Sequence, residues 1–271
     1  MMRIETLIVT VDQHDFSLIE KMNVQTDAVV GNQSDFVSEQ SFCRKNQTVT
    51  YYSTTERGVG RNRNLVLEKA SADICVFADD DMRFVDGYPA IVTSAVLEAP
   101  DADLWIFNLI EKHPKRCVNT KLRQIRRTNY ARYGTARIAF RRESIERLNI
   151  RFSPLFGGGS CFGSGEDTLF LKECLDKKLK IVAVPYSLAE IDQNAASTWF
   201  TGYHKKYFFD KGALYQALYP HAAPLFCIRY LLKYRKRYQR TVTMLEGYRA
   251  MSHGRKKYAQ ITTAGNQTAQ F

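Results

Sequence analysis

Three adjacent carboxylates, Asp79, Asp80 and Asp81, follow directly on the apolar run Ile74-Cys75-Val76-Phe77-Ala78. Five apolar residues bounded by polar ones read as a buried strand. Carboxylates crowded at its end repel one another and are costly to desolvate, and a cation offsets both effects. Oxygen-only donors suit Mg²⁺ or Mn²⁺. In open α/β sheets, ligands settle at the carboxyl ends of the strands, where the triplet would lie. The same residues would also suit a solvated turn with one Asp capping the next helix.

Two further groups have spacings that could do chemistry. Gly163-Ser164-Gly165-Glu166-Asp167 leads glycines into a helix whose first turn holds two acids. Acids there complement the helix dipole; a glycine-flanked loop could equally present one carboxylate as a general base. Glu56-Arg57-Gly58-Val59-Gly60-Arg61-Asn62-Arg63-Asn64 sets glycines and arginines at a helix start. Amides and guanidinium groups so placed form an anion site, or simply a basic turn. The spacing is neither a dinucleotide fingerprint nor a Walker motif.

These groups must be held by regular elements. Apolar runs predict strands at 6–11, 27–31, 49–53, 74–78, 104–107 and 180–184, the last stopped by Pro185. Helical spacing predicts helices at 16–22, 60–69, 88–98 and 166–177. Such alternation implies an α/β fold, a mostly parallel sheet with helices on both faces. From 111 to 142 the pattern breaks into a basic segment, and beyond Thr201 it turns helical, aromatic and basic, with a polar tail from Thr262 that reads as frayed. The division expected is a catalytic domain over 1–200 and a helical, basic extension over 201–271.

The 271 residues carry a net charge of +11 and six scattered cysteines without a C-x-x-C pair. The start does not read as a signal peptide, because Glu5 interrupts its short apolar run. No stretch approaches the roughly 20 apolar residues of a membrane span. The cysteines read as reduced thiols, which suggests a cytoplasmic setting.

The ordered set of motifs resembles the family 2 glycosyltransferases of the GT-A fold, over residues 4–200. Their N-R-G-x-x-x-A-R-N segment is matched by Glu56 to Asn64, their D-x-D element by Asp79-Asp80-Asp81, and their G-x-G-E-D loop by Gly163 to Asp167. The resemblance implies an inverting transfer from a nucleotide-sugar donor, a UDP-sugar above all, with Mn²⁺ or Mg²⁺ as cofactor. It implies that Asp81 holds the metal, assisted by Asp79, and that Asp79 and Asp80 face the nucleotide. Asp167 would be the catalytic base and Glu166 would orient the acceptor or the loop. Arg63, Thr10 and Asp12 would lie on the nucleotide side.

Two positions depart from the pattern. Where the family's second strand ends in V-D-D-G-S, this chain has Val30-Gly31-Asn32-Gln33-Ser34, leaving Asn32 to do part of that work. The family's late metal-ligand His is missing from 191–200, with Asp192 and His204 as the nearest substitutes.

Residues 112–151 hold thirteen Lys/Arg against two Glu, and 229–240 hold six Lys/Arg and no acid. Such density suits an anionic surface, here the inner face of the plasma membrane, where a glycan or lipid-linked acceptor would sit. A sugar-phosphate nucleotidyltransferase would not need the Gly-x-Gly-Glu-Asp loop. A non-enzymatic nucleic-acid-binding protein would explain the charge but not the acids, so no nucleic-acid partner is expected.

Overall fold

The computed structural model describes residues 2–112, 117–192 and 202–268. Their elements run β1 (Ile4–Val11), α1 (Ser17–Lys21), β2 (Asp27–Gln33), β3 (Ser38–Arg44), β4 (Gln47–Thr54), α2 (Val59–Lys69), β5 (Ile74–Asp79), β6 (Met82–Phe84), α3 (Tyr88–Glu98) and β7 (Leu104–Ile110). There follow β8 (Arg123–Gln124), 3₁₀ turns at Tyr130–Arg132 and Thr135–Arg137, β9 (Ile138–Arg141), α4 (Arg142–Arg147), α5 (Glu166–Asp176), β10 (Ile181–Ile191), α6 (Lys205–Leu218), α7 (Ala223–Tyr238) and α8 (Met244–Thr268).

The chain forms two compact units. The first is Met1–Pro154 with Glu166–Ala196, the second Leu155–Gly165 with Ser197–Phe271. The 155–165 loop, drawn from sequence within the catalytic domain, thus packs with the helical unit.

In the first unit a ten-stranded sheet runs β3-β4-β2-β1-β5-β9-β7-β10-β6, with β8 against β10. The ladders β4-β2-β1-β5 and β7-β10 are parallel, while β9 lies antiparallel between β5 and β7. Alternation along β5 explains the layers. Ile74, Val76 and Ala78 face a core shared with Leu18 and Ile19 of α1 and Val92 and Val96 of α3. Cys75 and Phe77 face a second core with Val66 and Leu67 of α2 and Phe170 and Leu171 of α5. A strand buried on both faces must be apolar throughout, which is why it reads as an unbroken run. The carboxyl ends of β1, β2 and β5 therefore emerge side by side.

The strand expected to stop at Pro185 runs on to Ile191. Its register on β7 shifts between Ala183 and Ser187. An irregularity there accommodates a residue without an N–H, and pairing resumes beyond it.

The second unit is built on α6, α7 and α8. The backbones of α6 and α8 meet at glycines: a Cβ on Gly212 would lie 2.0 Å from the Met251 carbonyl oxygen, and one on Gly254 1.9 Å from that of Phe209. Around this crossing Phe208, Cys227, Leu231, Tyr238, Val242 and Met251 form a small core. Thr243 and Glu246 start α8 with reciprocal bonds, Glu246 N donating to Thr243 Oγ1 (3.2 Å) and Thr243 N to Glu246 Oε2 (3.0 Å), a capping box. The segment from Thr262, expected to fray, continues the helix to Thr268. Thr262 and Thr263 direct their hydroxyls back to carbonyls of the preceding turn, so polar residues there remain compatible with helix.

Candidate active site

Arg63 collects all three sequence motifs. From the first turns of α2, its Nη2 donates to Asp79 Oδ1 at 2.9 Å, and its Nη1 to Glu166 Oε1 and Asp167 Oδ1, each at 3.1 Å. The Arg63 side chain is 5% exposed, against 37% for Asp79, 12% for Glu166 and 32% for Asp167. The guanidinium is thus an internal counter-charge with its outer edge turned to carboxylates. Beneath it lies Phe152, 5.5 Å away, itself stacked on Phe170 and edge-on to Phe77. Asn64 fixes that floor: its amide donates to Phe152 O (2.9 Å) and accepts from Phe152 N (2.8 Å).

One cation faces three acids, and the electrostatics follow. Burial pushes the Glu166 carboxyl up to about 7; the Asp167 charge adds to the rise and Arg63 opposes it. Burial alone would lower the Arg63 pKa, but the charges of Asp79, Asp167 and Glu166 together outweigh it, and Arg63 stays protonated. Thr135, fully buried in a 3₁₀ turn, donates its hydroxyl to Asp167 Oδ1 in a short hydrogen bond. Asp167 is therefore held from two sides by groups on different elements, its partly exposed carboxylate beside a more buried Glu166. A carboxylate so held can act as a base, here next to a carboxyl with shifted acidity.

The other expected residues lie at the neighbouring strand ends. Thr10, at the end of β1, donates to Asp80 Oδ2 at 2.6 Å. The hydroxyl placed beside a nucleobase by resemblance thus orients the middle carboxylate of the triplet. Asp81 is half-buried, and its carbonyl accepts from Asp192 N at 2.9 Å, which brings Asp192 alongside the triplet. Residues 193–200, searched for the late His, lie outside the described residues. His204 belongs to the second unit, where it caps α6 by accepting from Tyr207 N at 3.3 Å. Asp12 is exposed with φ of 52° and lies 3.6 Å from Arg57.

Asn32 is tied into the fold around it. It is buried; its amide donates to Gln13 O (2.9 Å) and Ser53 Oγ (3.1 Å), and its Oδ1 accepts from Gln13 N (3.0 Å). With both amide hydrogens taken, it shapes the turn after β1. The glycine-rich helix start is also used internally. Gly58 N donates to Gln33 Oε1 (2.8 Å), and Arg57 to Gln33 O (3.1 Å).

Thr135 and Gln33 act here without a motif to announce them. Asn62 carried the one available signal. The resembled pattern has an acid at position 31 and alanine at 62, whereas this chain has glycine and asparagine. A Cβ on Gly31 would lie 2.1 Å from Asn62 Oδ1 and 2.8 Å from Val66 Cγ1. Asn62 fills the space and donates to Gly31 O (2.8 Å) and Thr10 O (3.3 Å), tying α2 to β1 and β2. The two departures are one exchange.

The residues fit a hard divalent cation. Asp79, Asp80 and Asp81 are half-buried oxygen donors at one strand end, with Asp79 Oδ1 held by Arg63 and Asp80 Oδ2 by Thr10. Among the described residues no three His, Cys, Asp or Glu side chains converge to hold a metal by themselves. Mg²⁺-type ions are commonly bound by one or two carboxylates with water and substrate phosphate, which such a partial set can provide.

The sequence matches no family model and no curated protein. Three-dimensional likeness is extensive. S. aureus TarS 1-349 in complex with UDP-GlcNAc superposes with a TM-score of 0.60 at 12% identity, covering 96% of this chain and 92% of that one. The same fragment in complex with UDP gives 0.58 at 12% identity with the same coverage. A longer S. aureus TarS chain gives 0.58 at 13% identity, covering 92% of this chain and 55% of that one. At such identity the likeness shows the fold, and the α/β fold of this chain is the GT-A arrangement.

Proposed function

We propose that this protein is an inverting glycosyltransferase that moves a sugar from a nucleotide-sugar donor, a UDP-sugar above all, to a hydroxyl of a glycan or lipid-linked acceptor. One observation carries the reading: Arg63 draws Asp79 of the strand-end triplet and Glu166 and Asp167 of the glycine-led helix to one point. Motifs separated by up to 104 residues have no structural need to share a guanidinium. A donor site and an acceptor base must, however, face one anomeric carbon from opposite sides. The TarS structures with UDP-GlcNAc and UDP supply the analogy for the donor.

This reading gives each residue a role. Asp81, assisted by Asp79, would hold Mn²⁺ or Mg²⁺, which when bound neutralises charge on the donor's phosphates. Thr10 keeps Asp80 aimed along the strand end, and Asn32 and Asp12 shape the turn on the nucleoside side. Asp167 takes the proton from the acceptor hydroxyl as that oxygen attacks the anomeric carbon from the face opposite the nucleotide. The nucleoside diphosphate leaves with the bonding electrons. Arg63 and Thr135 hold Asp167 in place beside Glu166. Glu166, more buried, orients the loop or the acceptor.

Thermal unfolding with UDP, GDP, dTDP and CDP, each with and without Mn²⁺, tests the reading. A ligand at about 100 times its Kd adds about 2.7 kcal/mol, enough to raise Tm by degrees. A rise with one nucleotide when metal is present is the expected result. No rise with any of them contradicts a donor site at Asp79–Asp81.

A further inference from the structure

Helix α7 has two sides of opposite character. Ala223, Cys227, Leu231 and Tyr238 are buried in the second unit's core. On the other side Leu225 (68% exposed), Ile228 (40%) and Leu232 (58%) form a row at i, i+3 and i+7. Arg229 and Lys233 flank the row and line the same shallow cleft with it. Arg235, Lys236 and Arg237 continue the charge into the last turn, and the helix contains no acid. Lys233 and Arg237 each lie against the Tyr234 ring, at 5.2 and 5.1 Å.

A single exposed leucine calls for no explanation, but three apolar side chains in register on a helix whose every charge is positive do. A uniformly acidic protein surface would satisfy the cations and leave the apolar row in water. An anionic lipid surface satisfies both, since the row enters the acyl boundary while the flanking cations meet phosphates. No described helix is long and apolar enough to cross a membrane, so the contact is interfacial.

We propose that the Leu225–Ile228–Leu232 face of α7, with Arg229 and Lys233, docks this protein on an anionic bilayer. The helix lies in the interface plane and the buried side stays with α6 and α8. This surface stands whether or not the transfer reading holds.

Flotation of the full chain with vesicles of mixed phosphatidylglycerol and phosphatidylcholine, against phosphatidylcholine alone, tests it. Binding is expected to the mixed vesicles at low salt, with release as salt rises. Arg229→Gln with Lys233→Gln should lower partition about 30-fold, from roughly fivefold per cation. Leu225→Ser with Leu232→Ser should lower it at least as far. Both variants change exposed side chains, so Tm and its response to nucleotide should match wild type, which separates this surface from the donor site. The proposal is overturned by no flotation at low salt, by equal binding to the neutral vesicles, or by variants that bind like wild type. A dimer in solution that Leu225→Ser with Leu232→Ser dissolves would overturn it in favour of a second copy on this face.

Discussion

At the scale of single residues, the site is a contest among charges around one guanidinium. Arg63→Met would leave Asp79, Glu166 and Asp167 facing one another without their shared counter-charge. Breaking a buried pair costs about 3–5 kcal/mol. The lower end is expected here because Asp79 and Asp167 are partly hydrated. Urea unfolding should show the loss. Loss of under about 0.5 kcal/mol, the range of ordinary surface changes, would contradict the role given to Arg63. Glu166 imposes a pH dependence of its own. Its pKa is raised from 4.5 to about 7 in the folded protein. The folded state therefore holds the proton more tightly than the unfolded one. The associated stability is full below pH 4.5, declines as pH rises through about 7, and is level above. Glu166→Gln should flatten that decline in Tm across the same window; an unchanged slope would place the titration elsewhere. Asp167→Asn should fold and bind donor as wild type does, yet lose about 10²–10⁴-fold in transfer, the usual share of a general base. Full activity would remove Asp167 from the mechanism.

At the scale of elements, α2 is the part on which the site depends. Asn62, Arg63 and Asn64 are consecutive, and each ties the helix to a different neighbour: the β1 and β2 strand ends, the carboxylates, and the Phe152 segment. The exchange at positions 31 and 62 gives a sharp test. Gly31→Ala should destabilise by roughly 1–3 kcal/mol through overpacking against Asn62 and Val66. Adding Asn62→Ala should recover part of that loss, a coupling that equilibrium unfolding of the four variants would measure. Strict additivity would mean that the two residues do not share the space. The same elements show what the sequence disclosed. The strand at β5 and the helices at α2, α3 and α5 were legible within one or two residues, because burial on both faces or one leaves a plain apolar period. The edge strand Ser38–Arg44 was not, since it is mostly exposed and reads as polar loop. Pro185 hid the second half of β10 because sequence cannot show that a register shift will absorb it. Thr135 and Gln33 were invisible for a different reason: their partners lie 32 and 25 residues away, and a buried hydroxyl or amide has no local signature.

At the scale of the whole molecule, the charge of +11 is not spread evenly by function. Acids gather at the ends of β5 and the start of α5, while α7 carries only cations. Carboxylates that are to hold a polyanionic donor require a cation to mediate, so the proposed function stands or falls with metal dependence. The deciding measurement is isothermal titration of UDP in the presence of Mn²⁺ into the wild-type protein and into Asp81→Ala. Binding by the wild type that needs Mn²⁺ is expected, with a loss of at least about tenfold, or 1.4 kcal/mol, in the variant. Equal affinity of the two proteins, or binding indifferent to the metal, would contradict the assignment of Asp79–Asp81 as a metal-assisted donor site.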